Sequence, residues 1–415
     1  MDDDIASRIA VTALKQYSTL GGNGKPNDSQ WTVFAAFVAV IGSHFFVISS
    51  ATGSKCLGQS QTDENPGGVL RDSHAEVLAR RGLLDAIWRE MKSHKTSVPT
   101  TTDTDNDNYS NSNSNNGDGK ESNSAKNLLT RTSIGSFEFR DDLDLYLYIS
   151  DSPCGDATIY PIDGGDEKFT GAKVVTTASA ADDANERFVN TSAGSILPTL
   201  DQDINVIREP LSQTTSLLRL KPGRSNLPPA SRTRSMSCSD KIVRWSCLSL
   251  VGKELRKHGF ENESANFKGV VVSIDKVSSQ GAQLAALSRA LTTRTNGRLL
   301  VSVVDAQFSR SKSNNETEKS SPCGLCINFN YTGGVEVTNG STGKKNGKKK
   351  RKAKEDDRSR LCTEIFTATA VSIPVTRAAK PAEYERLRDA MFNTGILNGW
   401  VFTKKQLKSK PQNSK

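Results

Sequence analysis

The sequence lacks an apolar run of the roughly 18 residues that a membrane helix needs. It also lacks a secretory leader and any cysteine spacing that reads as a disulfide framework. Together these absences argue against membrane-spanning and secreted classes, and the expectation is a chain of the cytoplasm, the nucleus or both. Of the seven cysteines, Cys56, Cys247 and Cys362 have no ligand-like spacing and read as small buried hydrophobes.

The chain does have charge, unevenly spread. The net charge is +9, yet eight cations fall between Lys344 and Lys354 and five more between Lys404 and Lys415. Residues 103–121 carry five acids and one lysine, so the body that remains is close to neutral. A nucleic-acid enzyme with such a body must gather cations around its pocket or use basic segments as phosphate-binding arms. The run 344–354 reads equally as a solvated insert or a nuclear-localisation patch.

Three short segments carry the chemistry. His74-Ala75-Glu76 opens an amphipathic helical pattern, Cys154 stands in Pro153-Cys154-Gly155 after a strand, and Cys238 stands at the head of another helical pattern. One His and two Cys, with a nearby carboxylate that is not a ligand, are what a zinc-dependent hydrolytic deaminase uses. Ligands at helix starts meet unpaired N–H groups and the positive end of the helix dipole, which favour thiolates. Zinc lowers the pKa of water to about 7, and Glu76 is the proton carrier. Pro322-Cys323-Gly324-Leu325-Cys326 matches the P-C-x-x-C half of the deaminase signature better than Pro153-Cys154-Gly155 does. It follows a polar stretch, however, and leads into a strand-like alternation rather than a helix, so it is set aside.

The segment from Arg232 to Trp245, preceded by Leu220-Lys221-Pro222-Gly223-Arg224, resembles the corresponding block of the adenosine deaminases that act on RNA. Gly24-Lys25-Pro26, Gln30-Trp31-Thr32-Val33, Ala51 to Cys56 and Ser359 to Cys362 resemble other blocks of that family, so the likeness runs nearly end to end. Ser246, Ser249, Lys253 and Arg71 depart from the family pattern. Within the family the chain looks most like the branch acting on tRNA. That resemblance implies inosine formation just 3′ of the anticodon of alanine tRNA, at position 37. It also implies inositol hexakisphosphate as a second, buried cofactor, with Arg80, Arg81, Lys241, Arg244, Trp245, Lys380, Tyr384, Arg388 and Trp400 at the matching positions. Lys221, Asp72 and Lys241 resemble the relay from that anion to the metal, and Ser54 and Lys55 match substrate-pocket positions.

The fold expected from pattern alone is α/β. Strands are read at 34–41, 45–48, 143–149, 267–274 and 299–304, the third as half-buried, with helices at 2–16, 75–91, 240–258, 281–291 and 382–392. The resemblance refines this to a cytidine-deaminase-like layered mixed sheet with helices on both faces and zinc at helix N-termini. The chain is read as a single deaminase domain over 1–415, with inserts at 96–126, 309–321 and 340–358 and a tail at 406–415. A monomer is expected. No space precedes Trp31 for a double-stranded RNA-binding domain, which favours a base presented in a loop. The rival readings are a deaminase of another structured RNA or of free nucleosides, and a zinc-containing RNA-binding protein without catalysis.

Overall fold

Residues 34–41 are apolar at every position, so a strand formed there must be covered on both faces. The computed structural model describes residues 1–96, 127–133, 135–169, 172–174, 215–221, 228, 232–261, 266–312, 320–346, 357–365, 381–393 and 395–397. The tail 406–415, Lys380, Trp400 and all but the first residue of the expected insert 96–126 lie outside them.

In chain order the principal elements are α1 (Asp3–Thr19), β1 (Phe34–Ile41), β2 (His44–Thr52), α2 (Ala75–Thr96), β3 (Leu143–Ile149), α3 (Cys238–Cys247), β4 (Phe267–Ser273), α4 (Gln280–Leu287), β5 (Leu300–Val304), β6 (Leu325–Asn330), β7 (Gly334–Asn339), β8 (Lys344–Lys345) and α5 (Pro381–Asn393). The eight strands form one mixed sheet in the order β5-β4-β3-β1-β2-β6-β7-β8. The trio β3, β4 and β5 is parallel, and the remaining pairings are antiparallel.

Alternation along β1 sorts the two layers. Ala35, Phe37 and Ala39 face a core shared with α2 and α3, whereas Phe34, Ala36 and Val38 face α1. Helix α1 starts at the Asp2 cap, with Asp3 and Asp4 at its positive end. It buries Ala6, Ile9, Ala10, Ala13 and Tyr17 at helical spacing. This back layer corrects the half-buried reading of β3. Tyr146 and Tyr148 point at α1 rather than at water, and the Tyr148 hydroxyl lies 2.7 Å from Ser273 Oγ.

Three other expectations change. The helix expected over 240–258 is two helices, because Gly252 takes φ 83° between α3 and Lys253–Lys257. Residues 309–312 and 320–321 are not a loose insert: Thr32 N–H donates to the Arg310 carbonyl at 2.9 Å, and Ser321–Pro322 pairs in parallel with Gln30–Trp31. The insert expected at 340–358 is anchored at both ends. Lys344–Lys345 extends the sheet, Lys345 N–H donates to the Asp357 carbonyl at 2.9 Å, and Lys344 pairs with Asp357 at 2.7 Å. Among the described residues no helix is long and apolar enough to cross a membrane.

Phe34 has no exposed surface, and its ring lies 5.0 Å from Tyr17 and 5.5 Å from Phe308. Phe34→Ala should therefore cost about 3–5 kcal/mol of stability, read by urea unfolding. A loss under about 1 kcal/mol would show that α1 does not close the back of the sheet.

Candidate active site

His74 ends the short strand Asp72–His74, and Ala75 begins α2 in the next position. Cys238 is the first residue of α3, capped by the Ser237 hydroxyl, which accepts from Asp240 N–H. Cys154 does not open an α-helix. It precedes a single 3-10 turn, Asp156–Thr158, after Gly155 turns the chain at φ 109°.

The three ligand atoms converge. His74 Nδ1 lies 3.8 Å from Cys154 Sγ and 3.7 Å from Cys238 Sγ, and all three atoms are within 4.8 Å of one another. Cys154 and Cys238 are buried. Cys238 N–H donates to Cys154 Sγ at 3.3 Å, so the first amide of α3 already favours negative charge on that sulfur. One imidazole and two thiols suit zinc, and three protein ligands leave a fourth position open, as a catalytic zinc site requires. Cys323 and Cys326 stay outside this group. Cys326 lies in β6 behind the ligand strand, with its sulfur 3.9 Å from the Ser73 carbonyl.

Glu76 sits two residues into α2, only 2% exposed, and its Oε2 is buried without a hydrogen-bond partner. Burial pushes its carboxyl above the ordinary value, against the pull of His74 and Lys221. Such an orphaned oxygen is costly unless something at the site engages it.

Asp72 organises the ring around the ligands. Its Oδ1 accepts from His74 N–H at 3.0 Å and from Lys221 Nζ at 3.0 Å. Its Oδ2 accepts from Ser235 Oγ at 2.6 Å and from Lys241 Nζ. Burial alone would raise this carboxyl, but Lys221 and Lys241 hold it well below the usual range. Lys221 Nζ also donates to Cys238 Sγ at 3.0 Å. Ser235 was not anticipated, although it lies within the Arg232 to Trp245 block.

Ser54 pairs directly with His74 across the two short strands, and Ser54 Oγ is buried without a partner, so the segment expected to line the substrate pocket runs beside His74. Lys55 is half-exposed on the same strand. The expected anion-binding residues divide. The Arg80 guanidinium lies 5.3 Å from the Trp245 ring and donates to the Leu250 carbonyl, Arg81 donates to the Leu361 carbonyl, and Arg244 sits beside Tyr384. Burial lowers the pKa of both Arg81 and Arg244. Lys241 is engaged by Asp72, and Arg388 by Glu385 and Asp389. A cavity of about 210 Å³ beside Arg80 and Arg81 is also lined by Trp88 and Lys253.

A profile of the adenosine-deaminase (editase) domain matches residues 49–391. The chain belongs to this family. Within the editase family it is 30% identical over 292 residues to tRNA-specific adenosine deaminase 1 of Drosophila melanogaster, covering 70% of this chain and 59% of that protein. It is 25% identical over 435 residues to tRNA-specific adenosine deaminase 1 of Homo sapiens, covering 78% of this chain and 79% of that one. A further similar editase is the double-stranded RNA-specific editase Adar of Drosophila melanogaster, at 24% identity over 50% of this chain and 24% of that protein.

Gly53 is the hinge of this editase centre. It takes φ 147°, its carbonyl accepts from Ala75 N–H at 3.0 Å, and a Cβ there would overlap the Ser73 carbonyl. Gly53→Ala should therefore displace His74 and weaken zinc binding by about tenfold or more, read as metal per chain after dialysis against a weak chelator. Wild-type occupancy in the variant would remove Gly53 from the centre.

Proposed function

We propose that this editase domain converts adenosine to inosine in tRNA by zinc-dependent hydrolytic deamination, at the nucleotide 3′ of the anticodon of alanine tRNA. The observation that carries the reading is the buried, unpartnered Glu76 carboxylate oxygen beside a three-ligand His74, Cys154 and Cys238 set. Similarity to enzymes named tRNA-specific adenosine deaminase 1 supports tRNA as the substrate class.

His74, Cys154 and Cys238 would hold the metal, which when bound supplies Lewis acidity that makes a water nucleophilic near neutral pH. Glu76 then does the proton work. Its Oε2 accepts one proton from the water that adds at C6 of the base and passes it to N1; it then carries the proton of the new C6 hydroxyl to the amine, which leaves as ammonia as the C6 carbonyl forms. Burial raises the Glu76 carboxyl above its ordinary value, which makes the carboxylate a better proton acceptor. Lys221, bonded to Cys238 Sγ and Asp72, compensates negative charge on that thiolate. Ser54 and Lys55 line the approach of a base displaced from its stack, and an anticodon loop presents bases in that way.

The half-buried arginines Arg81 and Arg244, with Arg80, Trp245 and Tyr384 nearby, support a polyanion as a second bound group. We assign inositol hexakisphosphate to it, with Lys380, Arg388 and Trp400 as further candidate contacts. A polyanion held there would place favourable negative charge opposite this group of arginines.

Unmodified alanine-tRNA transcript should yield inosine 3′ of the anticodon. Glu76→Gln should lower the rate by about 10²–10⁴-fold while keeping its zinc. Unchanged turnover in that variant would remove Glu76 from the mechanism. Turnover of free adenosine but not of tRNA would favour a nucleoside deaminase instead.

A further inference from the structure

Both cysteine loops of the centre are gripped from one short helical stretch that is remote from them in sequence. Beyond Leu287, α4 continues through a π-turn, Ser288–Thr292, and a 3-10 turn, Thr293–Thr295. The π character is explicit: Thr293 N–H donates to the Ser288 carbonyl, five residues back. In a regular α-helix, side chains five residues apart point about 140° away from each other. A turn closed over five residues brings them nearer to one face, and here those residues are Arg289 and Arg294.

Arg289 grips the Cys154 loop. Its NH2 donates to the carbonyls of Asp156 and Ile159, each at 2.9 Å, so one guanidinium nitrogen brackets the 3-10 turn that follows Cys154. Its Nε lies 3.6 Å from the fully buried Asp156 carboxylate, whose other oxygen accepts from Ser216 N–H at 2.9 Å. Arg294 grips the start of α3. Its NH2 donates to Asp240 Oδ1 at 2.8 Å, while Asp240 Oδ2 accepts from Ser237 Oγ at 2.6 Å and from Arg219 N–H at 2.8 Å. Ser237 and Asp240 stand on either side of Cys238. The two loops are also tied to each other, because Ser239 Oγ donates to the carbonyls of Pro153 and Cys154, both at 3.0 Å.

We propose that Arg289 and Arg294 are positioning residues that set the separation of the two cysteine ligands, with the π-turn as the device that aims both at the centre. The inference rests on the reading of His74, Cys154 and Cys238 as a zinc site. The described contacts of both arginine side chains are to backbone and carboxylate oxygens rather than to the ligand sulfurs. Each acts through the backbone or cap of the ligand's own segment, as outer-shell partners of metal ligands do. Arginine suits Arg289 because a planar fork can serve two carbonyls and a carboxylate together, which an ammonium at the end of a flexible stem cannot do as well.

The test uses the full-length, zinc-loaded protein, with release of zinc to a chromophoric chelator timed for wild type, Arg289→Lys, Arg289→Met, Arg294→Lys and Arg294→Met. The lysine variants keep the charge balance against Asp156 and Asp240, so they decide the matter if a methionine variant does not fold. Release about 10–100-fold faster is expected for Arg289→Lys and for both methionine variants. Arg294→Lys, which needs to reach only one carboxylate oxygen, should recover most of the wild-type rate. The metal-free proteins should melt within a few degrees of wild type, and kcat on tRNA should fall with KM little changed. Release within about twofold of wild type for Arg289→Lys and both methionine variants would overturn the proposal while leaving the zinc centre standing. A wild-type protein that binds no zinc would overturn both.

Discussion

The buried Asp72 carboxylate is the joint on which the centre depends. Its four partners come from three separate stretches of chain: His74 N–H beside it, Lys221, and Ser235 with Lys241 at the head of α3. Without it those stretches would bring two lysines together with only Glu76 and the cysteine sulfurs near Lys221 to offset them. Removing one partner of such a buried set costs about 3–5 kcal/mol, because the charges left behind stay uncompensated. The same residue therefore holds the ligand strand against α3 and sets the electrostatics near Cys238, through the shared Lys221 ammonium.

The sheet supplies the rigidity that this joint needs. β1 is covered by α1 on one face and by the α2 layer on the other, so the strand can neither slip nor twist independently. Cys154 follows β3 and His74 precedes α2, so two of the three ligands leave from elements packed in that core. Cys238 is placed less directly, through the Ser237 and Asp240 cap and through its own N–H bond to Cys154 Sγ.

Much of this was legible from residue pattern. His74, Glu76 and Cys238 stood in short segments at helix starts, whereas Cys154 precedes only a 3-10 turn, and the runs 34–41 and 143–149 announced strands. Other features were hidden for identifiable reasons. The break in the 240–258 helix turns on Gly252, whose positive φ is a tertiary outcome in a segment of otherwise helical residues. The burial of Tyr146 and Tyr148 depends on α1 crossing the back of the sheet, and alternation within β3 carries no trace of that. Nothing in the sequence marked Arg289 and Arg294: the helix expected over 281–291 stops short of Arg294, and a π-turn has no composition signature. The short spacing Ser237-x-x-Asp240 was a usable sign of a capping pair, but nothing nearby indicated that Asp240 would also be bound from residue 294. The basic run from Lys344 was read as an insert, although its first two residues complete the sheet.

The zinc environment offers the most direct test of the central claim, by X-ray absorption on the purified, metal-replete protein. Two sulfur neighbours at about 2.3 Å and nitrogen or oxygen neighbours at about 2.0–2.1 Å are expected for one imidazole, two thiolates and an open position filled by solvent. A shell of three or four sulfurs, which would bring in Cys323 and Cys326, or a protein that retains no zinc at all, would contradict it.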